Sequence, residues 1–515
     1  MKVAVESSSV QTAPERRERG ARRDLQRAWP VALLVALTLA SRLPFLSREL
    51  YAFDSVNYAL ALRDFYSVAF HQPHPPGYPL YVAAAKLLDL GLHDPNLSLV
   101  LLSVVASLGG VLALYALGVG LLGRRGGLVA ALLLLFSPGF WGYSLVAYPY
   151  TALGFLMVLV PAMLAQVWKG DRGRIVPAGL LLGLGGGVRW DVVAFLAPLW
   201  AVSAVFAGLR RWLVASTLLV VGVVAWAVPM VLFSGGWETY LKVSQAQATV
   251  VLHATAAPFL GPAALARNAL RLARFLVEVA LPVLPLALYA AVRYRRVAAA
   301  LGWQWVLFTA LWVAPAALFY VAVHVGDQGY VLSMMPALCL MAAAGVAQFA
   351  DDVGRIRRAG EPAGVVAAVV LVVLAADGAL FGFTKGPARW PEIRWTDRTL
   401  AAEMAYVRSH HDPARTLVLA YGHYRQAEYY LPEHQVVLMA NDLEPDFRRS
   451  RRRLDLPKGV ETLVVLDEAA RVEAEPPSRV RRLVLDPETP VEVFVVDVRG
   501  LSHVEYGYLF VRAAP

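Results

Sequence analysis

Long apolar runs, separated by short basic clusters, constrain this chain more than any other feature. Leu97–Leu122 and Trp212–Phe233 carry no charged residue, and Val31–Leu39 and Val365–Ala375 are the centres of further apolar stretches. About 20 such residues cross a hydrocarbon core as a helix. A backbone in hydrocarbon must satisfy its own polar groups, so a spanning segment is either a helix or part of a closed barrel. Barrel strands alternate apolar and polar residues; these runs are continuous, which selects helices. The composition agrees, with 58% hydrophobic and only 17% charged residues, where a soluble domain carries about 25% charged. The fold class expected is mainly α: a polytopic helical membrane protein.

The net charge of +10 does not point to nucleic acid, because the basic residues sit in clusters between the apolar runs. Lys and Arg accumulate in cytoplasmic loops. The N-terminal tail, with Arg16, Arg17, Arg19, Arg22, Arg23 and Arg27, is therefore placed inside, as are Arg124-Arg125, Lys169 to Arg174, Arg210-Arg211, Arg293 to Arg296 and Arg355 to Arg358. Enough apolar sequence for two crossings separates each cluster from the next. The arrangement gives about eleven spans and leaves the C-terminus outside. The tail is too long, and its span too poorly followed by a cleavage site, to be a removed signal peptide. Three regions result: a cytoplasmic basic tail at 1–28, a membrane domain at 29–384 with an outer loop at 47–96, and an extracytoplasmic domain at 385–515. Cys339, the single cysteine, lies in an apolar run and reads as a packing residue; an internal disulfide and a thiolate metal cage are excluded.

The polar segments on the outer side are 47–96, Gly142–Pro149, the surroundings of Val188–Asp191, 234–271, His324–Tyr330 and the chain after Lys385. In the first of these, Asp54 stands in an N-cap position before a helix over Val56–Phe65. His71-Gln-Pro-His-Pro-Pro-Gly77 then forces an extended turn, since a residue before proline is pushed out of the helical region. Tyr78–Leu92 is a second helix, too short for a comfortable span, and reads as lying along the membrane surface. Gly179 and Gly183 in one span read as a close-packing face. After Trp390 a helix over Thr399–Ser409 is followed by strand-like Thr416–Ala420, Tyr424–Tyr430, Gln435–Met439, Thr462–Leu466, Arg482–Leu485 and Val491–Val498, a pattern expected of a small α/β domain.

Asp54, Asn57, Tyr58, Arg63, His71, His74 and Tyr78 crowd the first outer loop. Phe53-Asp54-Ser55 and His74-Pro75-Pro76-Gly77-Tyr78-Pro79-Leu80-Tyr81 resemble the first outer loop of the GT-C membrane glycosyltransferases, among them protein mannosyltransferases and lipid A aminoarabinose transferases. Ser137-Pro138 and His324…Gly329-Tyr330-Val-Leu…Pro336 also look like family positions. The resemblance covers the spans through about Ala350. It implies a hexosyl- or pentosyltransferase, of inverting type, that takes a sugar from a polyprenyl-phosphate carrier to a hydroxyl acceptor on a glycan, lipid or protein, at the outer face of a bacterial plasma membrane. Many relatives have a second acidic residue where this chain has Ser55, a departure that bears on any metal site. A divalent metal cofactor therefore stays open, as do the sugar, the acceptor and the carrier length.

The chemistry fits the residues on its own terms. Transfer from phosphate to a hydroxyl needs a base for the acceptor proton, whereas the phosphate already leaves as an anion; one carboxylate suffices, unlike the acid and base pair of a glycoside hydrolase. Asp54 is the candidate base, with a helix cap as its structural alternative. His71 and His74 read as substrate or metal contacts, or as parts of a structured turn. Arg63 is a substrate contact or an exposed helix residue. Arg189, paired in sequence with Asp191, is an ionisable residue at membrane depth and so a functional candidate. His324, Asp327 and Tyr330 are candidates for holding the carrier phosphate or donor sugar, and Arg267, Arg271 and Arg274 form a basic stripe. Tyr421 to Arg425 and Glu428 to Tyr430 are polar and aromatic enough to bind glycan, with ordinary packing as the alternative. The rival class is a transporter or lipid flippase. That would place ionisable residues near the midplane in two related halves, whereas here they gather at the outer ends.

Overall fold

A computed structural model of the protein describes residues 13–357, 362–441, 446–486 and 491–514. The side chains of the N-terminal arginines through Arg27, and Arg358, lie outside what is described. Among the described residues seven helices are long and apolar enough to cross a membrane, or eight if the pair Pro262–Ala280 and Leu284–Val292, bent by 117°, forms one span. The chain is a multi-pass helical membrane protein.

The sequence expectation of about eleven spans exceeds this number for identifiable reasons. Pro95–Phe136 is one helix by hydrogen bonding, yet Gly123 within it has φ 75° and ψ 177°, a region open to glycine and strained for other residues. Residues nine positions apart in a straight helix are separated by about 13 Å. A Cβ added at Gly118 would nonetheless lie 2.7 Å from the Cα of Gly127. The run thus doubles back at Gly123, with Arg124 and Arg125 at the turn. Two further apolar helices, Ile175–Val188 and Asp191–Ala207, have only 14 and 17 residues. The first packs backbone to backbone against Leu209–Phe233: a Cβ at Gly179 would meet the carbonyl oxygen of Ala215 at 2.3 Å, and one at Gly183 that of Leu219 at 2.2 Å. Small residues let helices approach in lipid, where apolar side chains gain little from leaving the solvent.

The loop at 47–96 folds into two helices, Phe53–Arg63 and Pro79–Leu92. The first begins earlier than its sequence indicates, with Ala52 at the cap and Asp54 in the first turn. Asp54 is thus not the N-cap. Ser55 supplies the local bond instead, its hydroxyl accepting the Ala52 N–H at 3.3 Å. The second helix buries Tyr81, Val82, Ala85 and Asp89 and leaves Leu87 and Leu90 exposed.

Beyond the last apolar helix, Pro362–Phe383, the chain becomes a layered α/β unit. Helix Trp390–His410 covers one face of a five-stranded sheet. Its strands run, in spatial order, Gln435–Leu438, Thr416–Ala420, Thr462–Val465, Glu492–Asp497 and Val480–Val484. The first three are parallel and the last two antiparallel to their neighbours. Thr416–Ala420 is buried throughout. Its alternation sends Val418 and Ala420 toward Leu400, Met404 and Val407 of the helix, and Leu417 and Leu419 into a second core. That core is closed by a four-stranded sheet, Arg451–Asp455, His503–Gly507, Phe510–Ala513 and Arg471–Ala474, which the strand pattern did not indicate. Tyr424–Tyr430, strand-like in sequence, is a helix. Its polar side chains pair along the helix, Tyr424 and Arg425 both reaching Glu428, which turns Gln426 and Ala427 inward.

This unit sits on the loop at 47–96. The carboxylate of Asp397 accepts hydrogen bonds from the hydroxyl of Ser47 and the backbone N–H groups of Arg48 and Glu49, each 3.0 Å long. The Leu50 N–H donates to the Tyr430 hydroxyl at 2.9 Å, and helix Tyr424–Tyr430 lies against helix Phe53–Arg63.

Candidate active site

Asp54 projects from the first turn of its helix toward the His-Pro-Pro segment. That segment is held off helical geometry by its prolines, with cis peptides at Gln72-Pro73 and Pro75-Pro76. It presents His74, whose Nδ1 lies 3.2 Å from Asp54 Oδ1. The other ring nitrogen, Nε2, is 3.2 Å from the Tyr78 hydroxyl. Tyr78 reaches this point because it starts the next helix in the left-handed region, φ 53°. Asn57, one helical turn after Asp54, donates from Nδ2 to the same Oδ1 at 3.4 Å. Both contacts fall on Oδ1, leaving Oδ2 outside them on a side chain that is 32% exposed. Burial alone would raise the Asp54 pKa. The adjacent His74, helped by Asn57 and Arg189, outweighs it and holds the carboxyl below its ordinary value. A partly open carboxylate oxygen on an ionised group is what a general base requires.

Behind this group stands an aromatic wall with one cation in it. The Arg189 guanidinium lies 5.6 Å from the ring centre of Tyr78, 5.1 Å from Tyr150 and 4.9 Å from Tyr330. It is also paired with Asp191 at 2.8 Å, both side chains buried. Tyr58 packs edge-on against Tyr78 and Tyr81. Asp327 accepts from the Tyr143 hydroxyl at 2.5 Å and from the Gly329 N–H at 2.7 Å. Burial nevertheless pushes its pKa up. His324 shares a 3.1 Å hydrogen bond with Thr255 and faces Tyr330 edge-on. Burial, reinforced by the charge of Arg271, lowers its pKa to about 4, so its imidazole is neutral at physiological pH.

Segments far apart in sequence thus meet on one side of the molecule. Asp54, Asn57, Tyr58, His74, Tyr78, Arg189 and Tyr330 form one connected group, with Asp327 joined through Tyr143 and its ring neighbours Tyr148 and Tyr150. His71 stands beside it. Its pKa is lowered by burial, then by the charges of His74 and Arg425. Arg63 is placed elsewhere: it pairs with Asp64 at 2.8 Å and stacks over Tyr429 at 4.4 Å. Arg267 donates to the Ala254 carbonyl and Arg274 pairs with Glu278. Sequence reading missed Tyr143, Tyr148 and Tyr150. Three tyrosines within Gly142–Pro149 and its flank were the available signal. Among the described residues no group of three or more His, Cys, Asp or Glu side chains is arranged to hold a metal ion, and Ser55, where a second acid would sit, turns back to its own helix.

No protein-family model matches the chain, and no curated protein matches it in sequence. Solved structures match it in fold. ArnT from Cupriavidus metallidurans bound to undecaprenyl phosphate superposes with a TM-score of 0.60 at 14% identity, covering 93% of this chain and 99% of ArnT. This chain shares the fold of ArnT. The apo form of ArnT gives a TM-score of 0.54 at 13% identity over 92% of this chain and 98% of ArnT. The match extends beyond the spans, since the 93% of this chain that is covered takes in most of the α/β unit.

Proposed function

We propose that the protein is a membrane glycosyltransferase that moves a sugar from a polyprenyl-phosphate carrier to a hydroxyl acceptor at the outer face of the bacterial plasma membrane, with its N-terminus cytoplasmic and its α/β unit outside. The single observation that carries this reading is the geometry of Asp54: an ionised carboxylate whose Oδ1 is fixed by His74 and Asn57 and whose Oδ2 is free of both. The ArnT fold supports the carrier, since ArnT itself binds undecaprenyl phosphate.

In the proposed step Asp54 Oδ2 takes the acceptor's hydroxyl proton as that oxygen attacks the anomeric carbon. The bond from that carbon to the phosphate oxygen breaks, and the polyprenyl phosphate leaves with the electron pair as an anion. One displacement inverts the anomeric centre. Negative charge grows on the departing phosphate, where hydrogen-bond donors and cations lower the barrier most; His74, Tyr78, Arg189, His324 and Tyr330 are the groups proposed to meet it, and His71 and Asp327 to line the donor site, while the buried Asn57 and Tyr58 hold Asp54 and Tyr78 from behind instead of touching the donor. Arg63 takes no part in this step and belongs to the seam with the α/β unit. Mass spectrometry of surface glycans, glycolipids and glycoproteins from a strain lacking the gene tests the reading. One hexose- or pentose-sized increment should disappear and return on complementation. An unchanged profile in all three fractions would reject it.

A further inference from the structure

Asn57 is fully buried and has two different neighbours at its two amide atoms. Its Nδ2 donates to Asp54, and its Oδ1 accepts from Arg425 Nε at 2.9 Å. Arg425 belongs to the outer α/β unit, 368 positions later in the chain. It is itself held there: Glu428 accepts from it at 2.7 Å and from the Tyr424 hydroxyl at 2.5 Å, and Phe53, next to Asp54, lies under its guanidinium at 5.9 Å. An arginine can only donate, so the Asn57 atom that faces it must be the carbonyl oxygen. The amino group is thereby turned to Asp54. Were the arginine absent, a carbonyl with no exposure to water would lack its partner, a state that costs enough for the side chain to turn elsewhere.

We infer that Arg425 is a positioning residue for Asp54, acting through Asn57, so that the outer α/β unit completes the site instead of only covering it. This rests on the reading of Asp54 as the base. The bond from Arg425 polarises the Asn57 amide and strengthens its donation to the carboxylate, since hydrogen bonds in a chain reinforce one another. The seam that brings Arg425 into place is built independently of it, by Asp397 under the loop 47–49 and by Tyr430 under Leu50. Loss of Arg425 therefore leaves the unit docked.

The test uses the full chain in lipid nanodiscs. The sequence has four asparagines, Asn57, Asn96, Asn268 and Asn441, so selective 15N-asparagine labelling gives a few side-chain amide pairs, and the one lost in Asn57→Ala is that of Asn57. Both Asp54→Ala and Arg425→Ala should move this pair and leave those of Asn96 and Asn268 in place, while Arg425→Lys, which restores a donor, should bring it part-way back. In complemented cells Arg425→Ala should lower glycan modification about tenfold, with undecaprenyl phosphate binding by the purified variant unchanged. In an Asn57→Ala background the same substitution should cost nothing further. An unmoved Asn57 pair in Arg425→Ala, or an equal additional loss in the Asn57→Ala background, would overturn the inference. The amide signals are read without any transfer reaction. If Asp54→Asn proves active, the base assignment falls while the link from Arg425 to Asn57 is still decided by the spectra.

Discussion

The buried pair of Arg189 and Asp191 offers a quantitative check on how the site is held. The two side chains are 3% and 2% exposed and 2.8 Å apart, so solvent does little to screen them. Removing one partner of such a pair strands the other charge, at a cost of about 3–5 kcal/mol. Arg189→Leu should incur that cost and also lose the three tyrosine contacts at 4.9 to 5.6 Å, each worth at least about 0.5 kcal/mol. The double variant Arg189→Leu/Asp191→Leu removes both charges. Apolar replacement of a buried pair is often neutral for stability, so most of the loss should be recovered. Thermal unfolding in detergent, followed by tryptophan fluorescence, should give a melting point several degrees below the parent for the single variant and near the parent for the double. Transfer activity should be lost in both, because the cation facing Tyr78, Tyr150 and Tyr330 is gone. A double variant no more stable than the single would refute the energetic reasoning, and a stable, active double variant would reduce the pair to a structural element.

Two further predictions concern protonation and orientation. His324 is held neutral down to about pH 4 in the folded protein, whereas an unfolded histidine takes up its proton near about pH 6.5. The unfolded state therefore binds more protons in that window, and stability should fall as pH drops from about 6.5 to about 4. His324→Gln should flatten this part of a plot of melting point against pH; parallel curves for parent and variant would contradict the burial argument. For orientation, the buried Cys339 is replaced by alanine and single cysteines are introduced as R355C and R481C. A membrane-impermeant maleimide should label R481C in intact cells and R355C only after lysis, and labelling of both from one side would sink the assigned orientation.

The helical spans could be read from the sequence because the bilayer imposes a constraint that each segment meets locally, an unbroken apolar run. Gly179 and Gly183 were similarly transparent, since a small-residue face in a span has one common use, and the neighbouring carbonyls of Ala215 and Leu219 do fill it. The candidate site was visible where its residues are close in sequence, from Asp54 to Tyr78. Arg189, His324, Asp327 and Tyr330 stood out singly, as polar residues at turns between apolar runs, but that they gather with Tyr143 and Tyr150 beside Asp54 depends on distant packing. Nothing in Tyr424–Tyr430 signals that Arg425 will meet Asn57, and its aromatic content favoured a strand where pairing with Glu428 gives a helix. The second sheet was missed for a related reason. Strands such as Arg451–Asp455 and Arg471–Ala474 are short and rich in charge, so they lack the apolar signature and gain their stability from the partner sheet. Asp54 itself was displaced by two positions from its expected cap, because the helix starts earlier, at Phe53.

The central claim, that Asp54 is the base of a glycosyl transfer, is tested most directly by one substitution. Asp54→Asn keeps the size of the side chain and an oxygen for His74 to approach, and Asp54 is not the helix cap, so the fold loses little. General-base catalysis contributes about 10²–10⁴-fold, far beyond any effect expected on folding. The measurement is the fraction of surface glycan carrying the gene-dependent mass increment, determined by mass spectrometry in cells that express parent or variant at equal membrane levels. The increment should fall to a few per cent of the parent's or less, with undecaprenyl phosphate still bound by the purified variant. Glycan modified to within a few-fold of the parent would contradict the assignment of Asp54 as the base.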